Sequence, residues 1–212
     1  MESKYPGLLV LTGIQKDHAR SLLGNFDDRY APEFYKTLMD LVALVIEDKF
    51  EKKFLFLTGN PGSGKTHFLV GLFRSKVMSD QGVMGADHSL YLPFATMITE
   101  IISSFKDTPS TRTSLAKYLG VKWLFIDDIS RGERTIDPDR IEGQCFRDIL
   151  LDRFENNKFL VCTSNYSKKE LLRMISGVFG AYVHSRVVSA SVFIEFNTKD
   201  FRREEPQAGK EI

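Results

Sequence analysis

A chain of 212 residues, 42% apolar and 27% charged, has the composition of one folded domain with a substantial core, which excludes a disordered polymer. The net charge of +1 supplies no global field for nucleic acid, so any such contact must come from a local patch. The two cysteines, Cys145 and Cys162, lie in apolar runs without metal or redox spacing, which reads as core packing in a reducing compartment. No run of 18 apolar residues occurs and the start does not read as a signal peptide, so a cytoplasmic location with no membrane partner is expected.

Residues 1–25 are mixed in character, weakly helical over 15–23, and read as an arm or docking segment. Pro32 then favours a first helical turn, and Phe34, Leu38, Leu41, Val42, Val45 and Ile46 recur at helical spacing. Residues 54–58 form a short apolar strand. It runs into Gly59, Asn60, Pro61, Gly62, Ser63, Gly64, Lys65 and Thr66, which satisfy G-x-x-x-x-G-K-[ST], and an apolar helix begins at Phe68. In such a loop glycines let backbone N–H groups turn inward around a polyphosphate, and the following helix points its positive end at the same anion. Lys65 can reach the β- and γ-phosphates, and the Thr66 hydroxyl can ligate Mg²⁺. The stretch identifies a nucleotide-binding protein.

Beyond a polar connection over 79–88, residues 90–92 read as a strand and 95–105 as a helix with Met97, Ile98, Ile101 and Ile102 inward. A Thr- and Ser-rich loop over 106–114 precedes a short helix at 115–119. Trp123, Leu124, Phe125 and Ile126 form an uninterrupted apolar run, the mark of a strand buried on both faces of a parallel sheet. Asp127 and Asp128 close it, where ligands gather in open α/β sheets. A charged loop at 131–137 leads to a helix over about 139–156, and residues 159–163 make another apolar strand ending in Ser164 and Asn165. Helices at 168–175 and 182–188, a strand at 192–196 and a flexible tail at 204–212 complete the chain, with no internal repeat. The alternation of strand and helix predicts an α/β fold with a doubly wound parallel sheet.

Asp127 stands as the Walker B carboxylate, expected to hold Mg²⁺ through water with help from Thr66. Asp128 occupies the position where many ATPases carry a glutamate that orients the attacking water. An aspartate reaches less far, so basal turnover is expected to be slow. Asn165 ends the strand that should lie beside the phosphate loop, where an amide can sense the γ-phosphate, although Thr-Ser-Asn also favours turns in its own right.

The succession GNPGSGKTH, LFIDDI, RFENNKFLVCTSN and HSRVVSASVFIEFNTKDFR resembles the AAA+ ATPases of the DnaC/DnaI-like helicase-loader group, with the IstB transposition ATPases and the DnaA initiator as relatives. The likeness covers residues 26–203. Its most specific parts are His67 directly after Lys-Thr, the paired aspartates, the Thr-Ser-Asn sensor and the Ser-Arg-Val turn. It implies a P-loop NTPase core with a five-stranded parallel sheet flanked by helices, binding ATP and Mg²⁺, with His67 joining the phosphate loop in the nucleotide site. It also implies that Arg186 is an arginine finger reaching a neighbouring subunit's nucleotide, so that the protein self-associates. Arg202 would be a second sensor in cis, with Arg203 competing for that role. Phe26 and Tyr30 fall where such proteins enclose the adenine, and aromatic residues before a helix also serve as core.

The partners implied are a replicative helicase and single-stranded DNA. Lys106, Arg112, Lys117, Arg131 and Arg134 are the basic candidates for the strand, against the plainer reading of a solvated face. Helicase loaders of the group usually carry an N-terminal helicase-binding domain and DnaA-type proteins a helical lid; here about 25 residues precede the core and no full lid domain is expected. The leading expectation is therefore an ATP-hydrolysing assembly switch that loads a helicase. The alternatives are an IstB-like ATPase selecting target DNA for a transposase, a small P-loop kinase, and a scaffold that binds ATP without hydrolysing it.

Overall fold

Strands without a polar face must be covered on both sides, and this requirement shapes the molecule. The computed structural model describes residues 14, 16–26, 28, 35–80, 88–104, 111–129, 141–197 and 200. Two 3-10 turns, Lys16–His18 and Leu23–Asn25, precede α1 (Tyr35–Ile46), β1 (Phe54–Gly59) and α2 (Lys65–Asp80). Then come β2 (Ser89–Pro93), α3 (Phe94–Ser104), α4 (Thr111–Gly120), β3 (Trp123–Asp127), α5 (Ile141–Glu155), β4 (Phe159–Thr163), α6 (Lys168–Ser189) and β5 (Ser191–Phe196). The five strands pair in parallel in the order β2-β3-β4-β1-β5, the parallel sheet that the alternation of elements predicts, with the five strands that the resemblance implies.

Alternation along each strand divides the core into two layers. Phe54, Phe56, Leu124, Ile126, Leu160 and Cys162 face the layer covered by α3, α4, α5 and α6. Leu55, Leu57, Trp123, Phe125, Phe159 and Val161 face the layer under α1 and α2. Each such buried Phe or Leu contributes about 2 kcal/mol, so no single one decides the fold, but a charge at any of these positions would disrupt it. Helix α1 buries Leu38, Val42 and Val45 at i, i+4 and i+7, the expected stripe. Phe34, expected in that stripe, lies outside the described residues.

Two buried cations fix the edges. Arg153 on α5 is fully buried and donates to Tyr118 O at 2.5 Å and Val121 O at 3.1 Å, satisfying carbonyls where α4 ends and β3 is about to begin. Burial pulls its pKa down to about 10. Lys76 on α2 is also fully buried, between Asp48 at 3.1 Å and Asp80 at 2.9 Å. Helix α6 is two helical segments joined end to end at Gly180 (φ 78, ψ 173), a conformation open essentially to glycine alone. The break separates the two helices that the sequence predicts at 168–175 and 182–188.

Residues 16–26 pack against α2. Arg74 donates to Ala19 O at 2.8 Å and Ser21 O at 3.3 Å, and Phe26 is buried beside Phe68 with ring centroids 5.4 Å apart. This part of the expected arm or docking segment therefore rests on α2.

Candidate functional site

The C-terminal ends of β1, β3 and β4 converge, and each delivers a turn that a continuing strand could not make. β1 ends at Gly59, whose φ is 120 and where a Cβ would come within 2.3 Å of Phe196 O on β5. Any other residue would push the loop off the sheet. Asn60 N then bonds Phe196 O at 3.2 Å, and Ser63 Oγ donates to Asn60 O at 2.7 Å, closing the loop on itself. Lys65 is 6% exposed. Its ammonium donates to Gly59 O at 2.9 Å and Asn60 O at 2.5 Å, a cation held at the centre of the loop. The first N–H groups of α2 have no acceptor four residues back within the helix, so helix and ammonium together form an anion cradle.

Beside the cradle, Thr66 Oγ1 donates to Asp127 Oδ1 at 3.0 Å. The predicted pair for Mg²⁺ is thus adjacent: a hydroxyl and a carboxylate oxygen, the hard donors that this ion requires. Thr163, at the end of β4, donates to the same Asp127 Oδ1 at 2.6 Å and accepts from Asp128 N at 2.7 Å. Asp128 is left-handed (φ 55), a conformation that costs a non-glycine residue about 1 kcal/mol and that the Thr163 bond holds in place. Half-buried, it turns its carboxylate toward Asn165, whose Nδ2 donates to Asp128 Oδ1 at 3.4 Å. Asn165 sits in a tight connection: Ser164 N bonds Leu57 O at 2.9 Å, and Ser167 caps α6 in a reciprocal box with Glu170. Register between β1 and β4 therefore fixes where the amide stands.

The structure brings together Lys65, Thr66, Asp127, Asp128 and Asn165. The side chains of other expected residues have different partners. The His67 imidazole is bonded to Leu22 O at 3.2 Å and Asn25 Oδ1 at 2.9 Å, so its ring fastens residues 22–25 to α2. Burial holds its pKa below the ordinary histidine value, and the Leu22 bond only partly offsets this. Phe26 is 4% exposed and surrounded by Tyr35, His67 and Phe68, which makes it a core residue in this state. Arg186 lies on α6 and contacts Tyr182 and Phe154. Tyr30, Arg202, Arg203, Lys106, Arg131 and Arg134 lie outside the described residues, as does the Arg112 side chain. Lys117 is paired with Glu100 at 3.1 Å.

Sequence reasoning missed two participants. Thr163 appears in the Thr-Ser-Asn run but not as the link between both acids. Asp200 lies against the phosphate loop, where a Cβ built on Gly62 (φ 73) would fall 1.7 Å from its Oδ1. Its only signal in the sequence is its place four residues after β5, the strand that borders the loop. Asp48, Asp80 and His88 also present ligand-type atoms within 4.8 Å of one another, but the Lys76 ammonium already sits between the two carboxylates. No helix among the described residues is long and apolar enough to cross a membrane.

No protein-family model matches the sequence. The chain is 25% identical over 190 residues to the uncharacterized protein YqaM of Bacillus subtilis (strain 168), a match covering 85% of this chain and 57% of that protein. It thus spans little more than half the length of the curated relative it matches. Among solved structures, the crystal structure of the DnaC helicase loader superposes with a TM-score of 0.68 at 17% identity, over 86% of this chain and 100% of that one. The replication initiator DnaA bound to AMPPCP and single-stranded DNA gives 0.64 at 17% identity, over 84% and 50%. At these identities the likeness is one of fold: the chain has the α/β fold, a five-stranded parallel sheet flanked by helices with a phosphate loop, that the DnaC helicase loader and DnaA also have.

Proposed function

We propose that this protein is an ATP-driven assembly switch of DNA replication that loads a replicative helicase onto single-stranded DNA. One observation carries the reading: the Thr66–Asp127 contact beside a complete phosphate loop, with Thr163 and Asn165 joining it to Asp128. In this reading Lys65 and the start of α2 bind the β- and γ-phosphates. Thr66 and Asp127 would hold Mg²⁺, which when bound supplies positive charge against the phosphate oxygens. Asp128 orients the attacking water and accepts its proton, and Asn165 fixes the carboxylate toward the γ-phosphate. Arg202 would sense the γ-phosphate in cis.

Arg186 completes the site from a second copy. Its contacts lie on α5 and α6 instead of the phosphate loop, and Val188, two residues on, is 44% exposed, apolar surface of the kind that a subunit junction covers. Placing the finger in trans makes hydrolysis depend on assembly, and differential contact with the γ-phosphate lets ATP favour the assembled state. The likeness to the DnaC loader and to DnaA bound to single-stranded DNA supports the helicase and the DNA as partners.

The test is the steady-state ATPase rate against protein concentration, with and without single-stranded DNA, with Arg186→Ala as control. Specific activity is expected to climb with concentration, rise further with DNA and collapse in the variant. A rate flat with concentration and indifferent to DNA and to Arg186 would rule the switch out.

A further inference from the structure

The broken helix α6 handles its arginine in an unusual way. Beyond Gly180, Val183 and Val187 are buried one turn apart, which sets Tyr182 and Arg186, also one turn apart, on the neighbouring face. The Arg186 guanidinium carbon lies 3.3 Å from the centroid of the Tyr182 ring and 5.5 Å from that of Phe154 on α5. Its Nη1 makes a long bond to Tyr182 O, 3.4 Å, and its Nε is buried without a hydrogen-bond partner among the described residues.

A guanidinium carries five N–H donors in a fork suited to carboxylate or phosphate, and here that fork is spent on aromatic faces and one carbonyl. The pose is favourable because a cation over a tyrosine face is attracted to it. It is also incomplete, because a buried N–H without an acceptor has lost its water. An anion would satisfy the group better than its present surroundings do. Such a group is held, but not committed.

We propose that Tyr182, with Phe154 behind it, is a positioning residue that parks Arg186 against its own subunit until the phosphate of a neighbouring subunit draws it away. The inference rests on reading Arg186 as a finger in trans. The stacking must be given up on engagement, so Tyr182 raises the protein concentration at which the shared site forms. A lone subunit thereby keeps its finger out of incidental anionic contacts.

The experiment uses the full chain with Mg²⁺ and ATP. Tyr182→Leu keeps apolar bulk for any subunit contact and removes the aromatic face; Tyr182→Phe keeps the face and removes the hydroxyl. The half-maximal protein concentration for ATPase activity is expected to fall roughly 2- to 5-fold in Tyr182→Leu and to stay at the wild-type value in Tyr182→Phe, with the plateau rate unchanged in both. In the nucleotide-free protein the Arg186 Nε–H resonance is expected to be displaced upfield by the ring, to return on ATP-driven assembly, and to lack the displacement in Tyr182→Leu. An unchanged or raised midpoint in Tyr182→Leu, or an undisplaced resonance, overturns the proposal. If Arg186→Ala leaves the concentration dependence intact, the finger reading falls and the parking role with it. If Arg186→Ala abolishes that dependence while Tyr182→Leu is silent, the parking role alone falls.

Discussion

The phosphate-loop end of the sheet and the far half of α6 hold their charged groups in opposite ways. At the sheet, Thr66 and Thr163 both donate to one oxygen of Asp127, and Asn165 reaches Asp128, so every member is fixed by another. On α6, Arg186 is held by residues of its own and the adjoining helix, with one nitrogen unsatisfied. Interlocked groups are preorganised for a task performed within one subunit. A charge stacked on its own helix is suited to a task performed somewhere else.

The largest effect should come from removing the proposed finger. Arg186→Ala is expected to lower the rate of the assembled protein by about 10³-fold or more, the scale on which such fingers act, while the affinity of the isolated subunit for nucleotide stays unchanged. Equilibrium binding of a fluorescent ATP analogue to dilute protein checks the second half. A matching loss of affinity there would place Arg186 in the cis site and dissolve the contrast.

Thr163 sharpens the other side of the comparison. Thr163→Val removes the hydroxyl that serves both acids, so the Mg²⁺ concentration needed for half-maximal hydrolysis should rise 10- to 100-fold, on the order seen for residues that orient metal ligands. Thr163→Ser should recover most of the loss. If valine and serine are equally impaired, the methyl group and its packing matter more than the bond.

Thr163 also marks where the sequence stopped being legible. The phosphate loop is a contiguous pattern, and the paired aspartates end an apolar run, so both can be found without knowing any neighbour. The alternation of elements likewise revealed a parallel sheet. What a linear pattern does not carry is strand order and register. Thr163 meets Asp127 because β4 lies between β1 and β3 with Cys162 opposite Ile126, a non-local fact. Thr-Ser-Asn alone looks like a turn. The same limit hid Asp200, which reaches Gly62 only because β5 flanks β1. The Tyr182–Arg186 spacing was visible, but nothing in it says whether the arginine lies on the ring or points away.

Asp200 offers a smaller effect at the cis site. A carboxylate beside the phosphate loop opposes an incoming polyphosphate by about 1 kcal/mol at most where water is present. Asp200→Asn should therefore tighten ATP binding about 3- to 5-fold, with less gain at high salt. Weaker binding in the variant would show that Asp200 supports the loop and does not compete with its ligand.

The smallest expected effect lies at the opposite end of the strands and sets a baseline for charge that is merely structural. Asp48 ends α1 in a left-handed conformation (φ 56) and accepts from Trp123 Nε1 at 2.8 Å, with Lys76 and Lys122 each at 3.1 Å. Burial pushes its pKa up, but the bonds from Trp123, Lys76 and Lys122 outweigh burial and hold it below 3.8. A depressed folded-state pKa means that the unfolded chain binds the proton more readily. The contribution of Asp48 is therefore complete above the unfolded value and is lost as pH falls through the folded one. Trp123 is the only tryptophan in the chain, so its emission reports this contact, and the acid change in emission should have a midpoint below 3.8 that Asp48→Asn removes. Near neutral pH the same variant should lower Tm by only about 2 °C, because the partly exposed charge is screened and Lys76 keeps Asp80 at 2.9 Å. A midpoint at or above 3.8 would mean that burial prevails over the three donors. The ion pairs around Lys76 would then be weaker than their distances imply, and the structural end of the sheet could no longer stand as the settled counterpart to Arg186.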